Sequence, residues 1–221
     1  MKLSWLFMAT LVSVSGACSR AGKTALAVTL LQELGPAAAV KFTTTDDVFE
    51  RCPRGTPCVV CDIDVPFRIV EDAATLGQPG TDTARLGAAG AERVVWAIAR
   101  RQAVERAWSA VRARLGRPRV IVMEGSSIVS IAQPDVLAYV VHPFLAPARW
   151  KEGWRDLMAR ADLVAVNRPR AETRPPAAEV MEAIASAAPR GAVVVADVTL
   201  PLGDWAPVLR ARLHEGAAVR A

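Results

Sequence analysis

The chain has 221 residues, 27 Lys and Arg against 22 Asp and Glu, and 52% hydrophobic residues. That length suits one large α/β domain able to bury most of its apolar surface without disulfides or metals, and no apolar run is long enough to cross a bilayer. The net charge of +5 comes almost wholly from arginines dispersed over 93–119, 149–174 and 208–220, a spread that argues against a nucleic-acid groove.

Along the chain, an apolar run from Leu6 to Val14 leads into Ala17-Cys18-Ser19-Arg20-Ala21-Gly22-Lys23-Thr24 and then into an apolar helix pattern. The order is strand, loop, helix. The loop follows the phosphate-binding pattern GxxxxGK[ST], except that Ala17 holds the first glycine's place and Gly16 sits one residue too early to fill it. Backbone N–H groups of Ser19, Arg20, Ala21, Gly22, Lys23 and Thr24 are expected to wrap a polyphosphate at a helix N-terminus. Lys23 would reach the β and γ phosphates as a catalytic cation, and the Thr24 hydroxyl would take a position on Mg²⁺. The same residues also read as a secretory signal ending at a lipid-modified Cys18, which would make the chain a lipid-anchored binding protein. Against that stand the single Lys2 ahead of the run, its interruption by Thr10, Ser13 and Ser15, and the amphipathic pattern that follows Cys18. The loop reading places the chain in the cytoplasm.

The helix Lys23–Leu34 is stopped by Gly35-Pro36, and a second strand spans Ala37–Thr44. Asp46 and Asp47 follow it at the same sheet edge, either completing a metal shell with Thr24 or making a turn. Residues 45–92 lack clean periodicity and read as an irregular functional insertion. Within it Cys52, Cys58 and Cys61 suit a zinc site short of one ligand, and equally suit three free thiols. Beyond lie a strand at Arg93–Ile98, a helix at Arg101–Leu115 closed by Gly116 and Pro118, and a strand at Arg119–Met123 ending in Glu124-Gly125. Strands follow at Val136–Val141 and Leu163–Val166 around a helix near 148–160, then a helix at Ala178–Ala187, a strand at Ala192–Val198 and a closing helix at Trp205–Leu213. No linker divides the chain, so residues 1–221 are expected to form one domain. The alternation predicts an α/β fold: a mostly parallel sheet covered by helices on both faces, a three-layer sandwich with its ligand at the carboxyl ends of the strands.

Glu124 ends the most apolar strand, where a carboxylate is aimed at a γ phosphate held by the neighbouring loop and acts on Mg²⁺ or on the attacking water. A solvated rim acid is the alternative. Val166-Asn167-Arg168-Pro169-Arg170 occupies the place where many GTPases carry Asn-Lys-x-Asp, but Arg170 stands where the guanine-reading aspartate would be. Asn167 is then a base contact or a strand-end cap, and ATP against GTP stays open. His142 and His214 have no companion ligands at metal spacing.

The loop at 17–24, the strand ending Val40-Lys41-Phe42-Thr43, the run Pro79-Gly80-Thr81-Asp82-Thr83-Ala84-Arg85 with Ala88-Ala89-Gly90-Ala91, and Val122-Met123-Glu124-Gly125 occur in an order that resembles the accessory proteins of molybdopterin-guanine dinucleotide biosynthesis. The likeness covers roughly residues 6–125, and the Gly80-Thr81-Asp82 to Gly90 run is its more specific part. It implies a P-loop NTPase fold of the class that includes metallochaperone GTPases, with Asp82 and Arg85 near the nucleotide, Glu124 as the strand-end acid, a homodimer, and a protein partner in cofactor synthesis. The expected activity is Mg²⁺-dependent nucleoside triphosphate binding with slow hydrolysis in that accessory role. Two alternatives use the same loop: a metal-handling GTPase with Cys52, Cys58 and Cys61 as ligands, and a small-molecule kinase.

Overall fold

The computed structural model describes residues 9–45 and 65–201, together with 203, 209 and 211. The first strand, β1 (Thr10–Gly16), is followed by α1 (Lys23–Leu34) and β2 (Ala38–Thr44). Next come β3 (Phe67–Val70), α2 (Ala73–Leu76), α3 (Asp82–Ala88) and β4 (Arg93–Ala99). A 3₁₀ turn at Arg101–Ala103 runs into α4 (Val104–Leu115), then β5 (Val120–Glu124), α5 (Val129–Ala132) and β6 (Val136–Val141). A second 3₁₀ turn at Pro147–Arg149 precedes α6 (Trp154–Ala159), β7 (Leu163–Asn167), α7 (Ala178–Ala187) and β8 (Ala192–Ala196).

The strands form one sheet in the order β3-β4-β2-β5-β1-β6-β7-β8. Every pairing is parallel except that of β3 with β4. Period-two alternation sends successive side chains to opposite faces. Val12 and Val14 of β1, Ala39 of β2 and Val122 of β5 pack with Leu26 and Leu30 of α1 and Leu86 of α3. On the opposite face Leu11, Val40, Ile121 and Met123 meet Trp108 and Val111 of α4, while Leu137, Tyr139 and Val141 of β6 meet Met158 of α6 and Ile184 of α7. Each fully buried aliphatic side chain here contributes about 1.5–3 kcal/mol. Helices thus cover both faces, as the alternating pattern predicts. Among the described residues no helix is long and apolar enough to cross a membrane.

The stretch predicted to be irregular, 45–92, contains β3, α2 and α3. A four-residue strand whose partner lies some thirty positions downstream leaves no periodic signal of its own, and α2 is a single turn. The helix α3 did carry a start signal, because the Thr81 hydroxyl accepts from the Ala84 N–H as an N-cap. The last strand stops at Ala196, short of the predicted Val198, because the Asp197 carboxylate turns the chain by accepting from the Thr199 N–H and from the Arg170 N–H. Asp46, Asp47, Cys52, Cys58 and Cys61 lie outside the described residues, as does most of the closing helix predicted at 205–213.

Asp162, 2% exposed, sits just before β7 and knits three strands together. Its carboxylate accepts from the Leu137 N–H of β6 at 2.9 Å and from the Arg190 guanidinium at 2.9 Å, ahead of β8. Gly191 packs so closely there that a Cβ would fall 1.9 Å from the Asp162 carbonyl oxygen. Asp162→Ala leaves the buried Leu137 N–H without its acceptor and is expected to lower unfolding free energy by about 2 kcal/mol. Urea denaturation measures this directly; a loss within about 0.5 kcal/mol would show that the carboxylate does not hold these strands.

Candidate functional site

Three parallel strands set the site. In their register Val14 of β1 and Lys41 of β2 both stand beside Glu124 of β5. Glu124 therefore shares its face with Lys41, and that is the face covered by α1 and α3. Glu124 is 2% exposed, and a charge so buried needs partners. It accepts from the Thr24 hydroxyl at 2.9 Å and from Lys41 Nζ at 2.6 Å, and Lys41 Nζ also donates to Asp82 Oδ2 at 2.7 Å. Burial pulls the Lys41 ammonium down, but the facing charges of Glu124 and Asp82 outweigh it and hold Lys41 above the ordinary lysine value. Asp82 is desolvated as well, and Lys41 nevertheless keeps its carboxyl below the usual range.

The loop that joins β1 to α1 enters a left-handed turn at Arg20 (φ 61°) and again at Gly22 (φ 109°). Ala17, where the pattern wants a first glycine, is fully buried; its N–H donates to the Val140 carbonyl and its carbonyl accepts from the Lys151 N–H. The close approach falls one residue earlier, because a Cβ on Gly16 would lie 2.8 Å from the Val140 oxygen and 3.0 Å from Lys23 Cγ. Gly16 thus makes room for the Lys23 stem. Lys23 Nζ donates to the Cys18 carbonyl at 2.6 Å, and α1 begins at Lys23 with no side-chain cap on its N-terminus. Burial, joined by the nearby Lys151 charge, lowers the Lys23 ammonium to about 8. Lys151 is lowered for the same reasons, burial first and then Lys41. Burial raises the Cys18 thiol.

Asn167, at the end of β7, faces the loop from behind. Its Nδ2 donates to the Ala21 carbonyl at 2.9 Å, its Oδ1 accepts from the Val198 N–H at 3.4 Å, and a Cβ on Gly22 would fall 2.3 Å from that Nδ2. Asn167 holds the loop in shape here, the strand-end role that the sequence left beside base contact. Around these groups opens a cleft of about 1130 Å³ at the carboxyl ends of the strands. Of the predicted residues it gathers Ser19, Arg20, Gly22, Lys23, Thr24, Asp82, Arg85 and Glu124, while Ala21 and Asn167 support the loop outside its lining. A cavity of about 440 Å³ beside α2 and α3 contains none of them.

The cleft also brings in residues that sequence reasoning passed over. Lys41, Thr44, Arg101, Ser126, Ser127 and Lys151 line it. Lys41 carried a signal, as a lone charge in an apolar strand, but its partner Glu124 is 83 residues away and only the register joins them. Ser15 donates to Ser126 at 2.7 Å, and the Thr44 and Ser127 hydroxyls share a hydrogen bond. Thr24, Glu124 and Asp82 offer hard oxygen donors, a set that fits Mg²⁺ better than a soft metal. Among the described residues no group of three or more His, Cys, Asp or Glu is arranged as a metal cluster.

An anion held by Lys23 would bind in a pH-dependent way. With its free value at about 8 and a higher value once anionic oxygens surround it, proton uptake on binding would grow as pH rises through about 8, and affinity would fall across that window. Titrating inorganic triphosphate at pH 8.5 in two buffers of different ionisation enthalpy should reveal this uptake. The same buffer dependence in wild type and in Lys23→Ala would place Lys23 away from the bound anion.

No family model matches the chain, and no curated protein matches its sequence.

Proposed function

We propose that this chain is a P-loop protein that binds a nucleoside triphosphate with Mg²⁺ and cleaves it slowly. The observation that carries the reading is the Thr24 hydroxyl hydrogen-bonded to Glu124 at 2.9 Å, at the uncapped start of α1 and one residue from Lys23. A hydroxyl, a carboxylate and a lysine that meet at a strand-loop-helix junction are the protein groups that phosphoryl chemistry uses. Thr24 and Glu124, with Asp82 nearby, would hold Mg²⁺; the ion would neutralise phosphate charge and orient the terminal phosphate. Lys23 exchanges the Cys18 carbonyl for phosphate oxygens. Lys41 bonds both Glu124 and Asp82 and holds the Asp82 carboxyl below its usual range. Lys151, which makes no side-chain hydrogen bond among the described residues, adds a cation facing Lys23 across the cleft.

The accessory role in molybdopterin-guanine dinucleotide synthesis, together with a homodimer and a cytoplasmic location, rests on the motif order over residues 6–125 and belongs to the same proposal. Small-molecule phosphoryl transfer is the second reading, and the cleft's volume of about 1130 Å³ favours it.

Lys23→Ala removes the cation that phosphate oxygens would meet and should weaken binding of Mg-ATP or Mg-GTP by at least thirtyfold, about 2 kcal/mol, with circular dichroism unchanged. Equal affinities would refute the P-loop reading. Glu124→Gln keeps the shape and the Thr24 contact, so nucleotide should bind within about fivefold of wild type while turnover drops by a hundredfold or more. If single-turnover hydrolysis is unchanged, Glu124 has no part in the reaction.

A further inference from the structure

Under the nucleotide reading, the 17–24 loop and the Thr24–Glu124 pair meet the phosphates from the α1 face of the sheet. Two further donors line the same cleft. Tyr139 stands beside Ser15 in the β1–β6 register, on the face covered by α6 and α7, and Lys151 lies on the segment between β6 and α6.

The backbone at Lys151 is fixed to the loop itself, because its N–H donates to the Ala17 carbonyl at 2.8 Å. The preceding Trp150 is buried, donates from its indole to the Leu145 carbonyl at 2.9 Å and meets Trp154 edge-on at 4.7 Å. The Lys151 side chain stays open to the cleft and, among the described residues, enters no hydrogen bond or ion pair; Glu152, which also lines the cleft, does not pair with it. Lys41 is committed to Glu124 and Asp82, and Lys23 to the Cys18 carbonyl. Of these three lysines, Lys151 alone has all its donors to give.

Tyr139 is 1% exposed, yet its hydroxyl bonds to no described group. Among the described residues only Ser13 Oγ is a sealed side-chain oxygen or nitrogen without a partner, so the phenol oxygen keeps an opening, and the cleft is where the residue surfaces. A hydroxyl so placed is costly unless something meets it there. Burial, with the Cys18 thiol nearby, raises the phenol above its ordinary value, so it stays protonated and can donate. Cys18 lies within electrostatic reach of Lys151 as well, and Lys151 within reach of Glu124. Phenol and ammonium therefore gather toward the Glu124 end of the loop. Both are donors without an acceptor, a pair suited to phosphate oxygens.

We propose that Lys151 and Tyr139 clamp the terminal phosphate of the bound nucleotide, and so make the site selective for a triphosphate over the corresponding diphosphate. The clamp rests on the P-loop reading, which lays the phosphates along the loop and brings the last of them to Glu124.

The test titrates the full chain, with Mg²⁺, calorimetrically with a non-hydrolysable triphosphate analogue and with the diphosphate, in the adenine and guanine series. Lys151→Met should weaken the analogue at least tenfold and leave the diphosphate within threefold, and Lys151→Arg should recover part of the loss. Tyr139→Phe should weaken the analogue about fivefold without lowering the unfolding temperature, because the hydroxyl has no partner to lose in the free chain. Analogue affinity that Lys151→Met leaves intact, or an equal loss for analogue and diphosphate, overturns the clamp while the P-loop reading stands. A Tyr139→Phe chain that binds the analogue as wild type does removes Tyr139 from it. If wild type binds no nucleotide in either series, the P-loop reading has failed and the clamp fails with it.

Discussion

A carboxylate at 2% exposure, bonded by Lys41 and Thr24, is the constraint around which this structure is arranged. Glu124 among Val14, Val122 and the face of α1 needs hydrogen-bond partners, because burying a carboxylate unpaired costs several kcal/mol. The fold supplies Lys41 from the neighbouring strand and Thr24 from the first turn of α1. Each of these requires something further. Lys41 is itself only partly exposed and pairs with Asp82 at the start of α3; Thr24 must sit at the helix entrance, which fixes the loop before it. One buried charge thereby ties β2, β5, α1 and α3 to a single point at the carboxyl edge of the sheet.

The same point shows what sequence reading can reach. Local signals were sufficient for β6 at Val136–Val141, for α7 at Ala178–Ala187 and for α1 with its Gly35 stop, because periodicity and capping are written within a few residues. They were also sufficient to place Lys23, Thr24 and Glu124 at one sheet edge. They could not reveal that Lys41 bridges Glu124 and Asp82, since that contact depends on the β2–β5 register across 83 residues. For the same reason Arg101, Ser127 and Lys151 went unnoticed: each lies on a separate turn, and only the shared strand edge makes them neighbours. Asn167 had the right position and an open role, and its contact with Ala21 supplied the role.

The electrostatic balance of the cleft follows from its construction. Among the described residues that line it, Arg20, Lys23, Lys41, Arg85, Arg101 and Lys151 stand against Asp82, Glu124 and Glu152. A dispersed surplus of five positive charges over the whole chain says little about a ligand. Its concentration here, in a confined space of lowered dielectric, favours small polyanions by focusing the field.

Lys23 donating to the Cys18 carbonyl carries one further consequence. The ammonium begins every encounter already bonded, so an arriving anion gains only the difference between its own contacts and the one it displaces. A monoanion trades one hydrogen bond for another and gains little. On the proposed reading, a chain of phosphates would meet the lysine, the start of α1 and the Thr24 hydroxyl together, and the exchange would become favourable in aggregate. The internal bond would then act as a threshold that screens ligands by the number of oxygens they present at once.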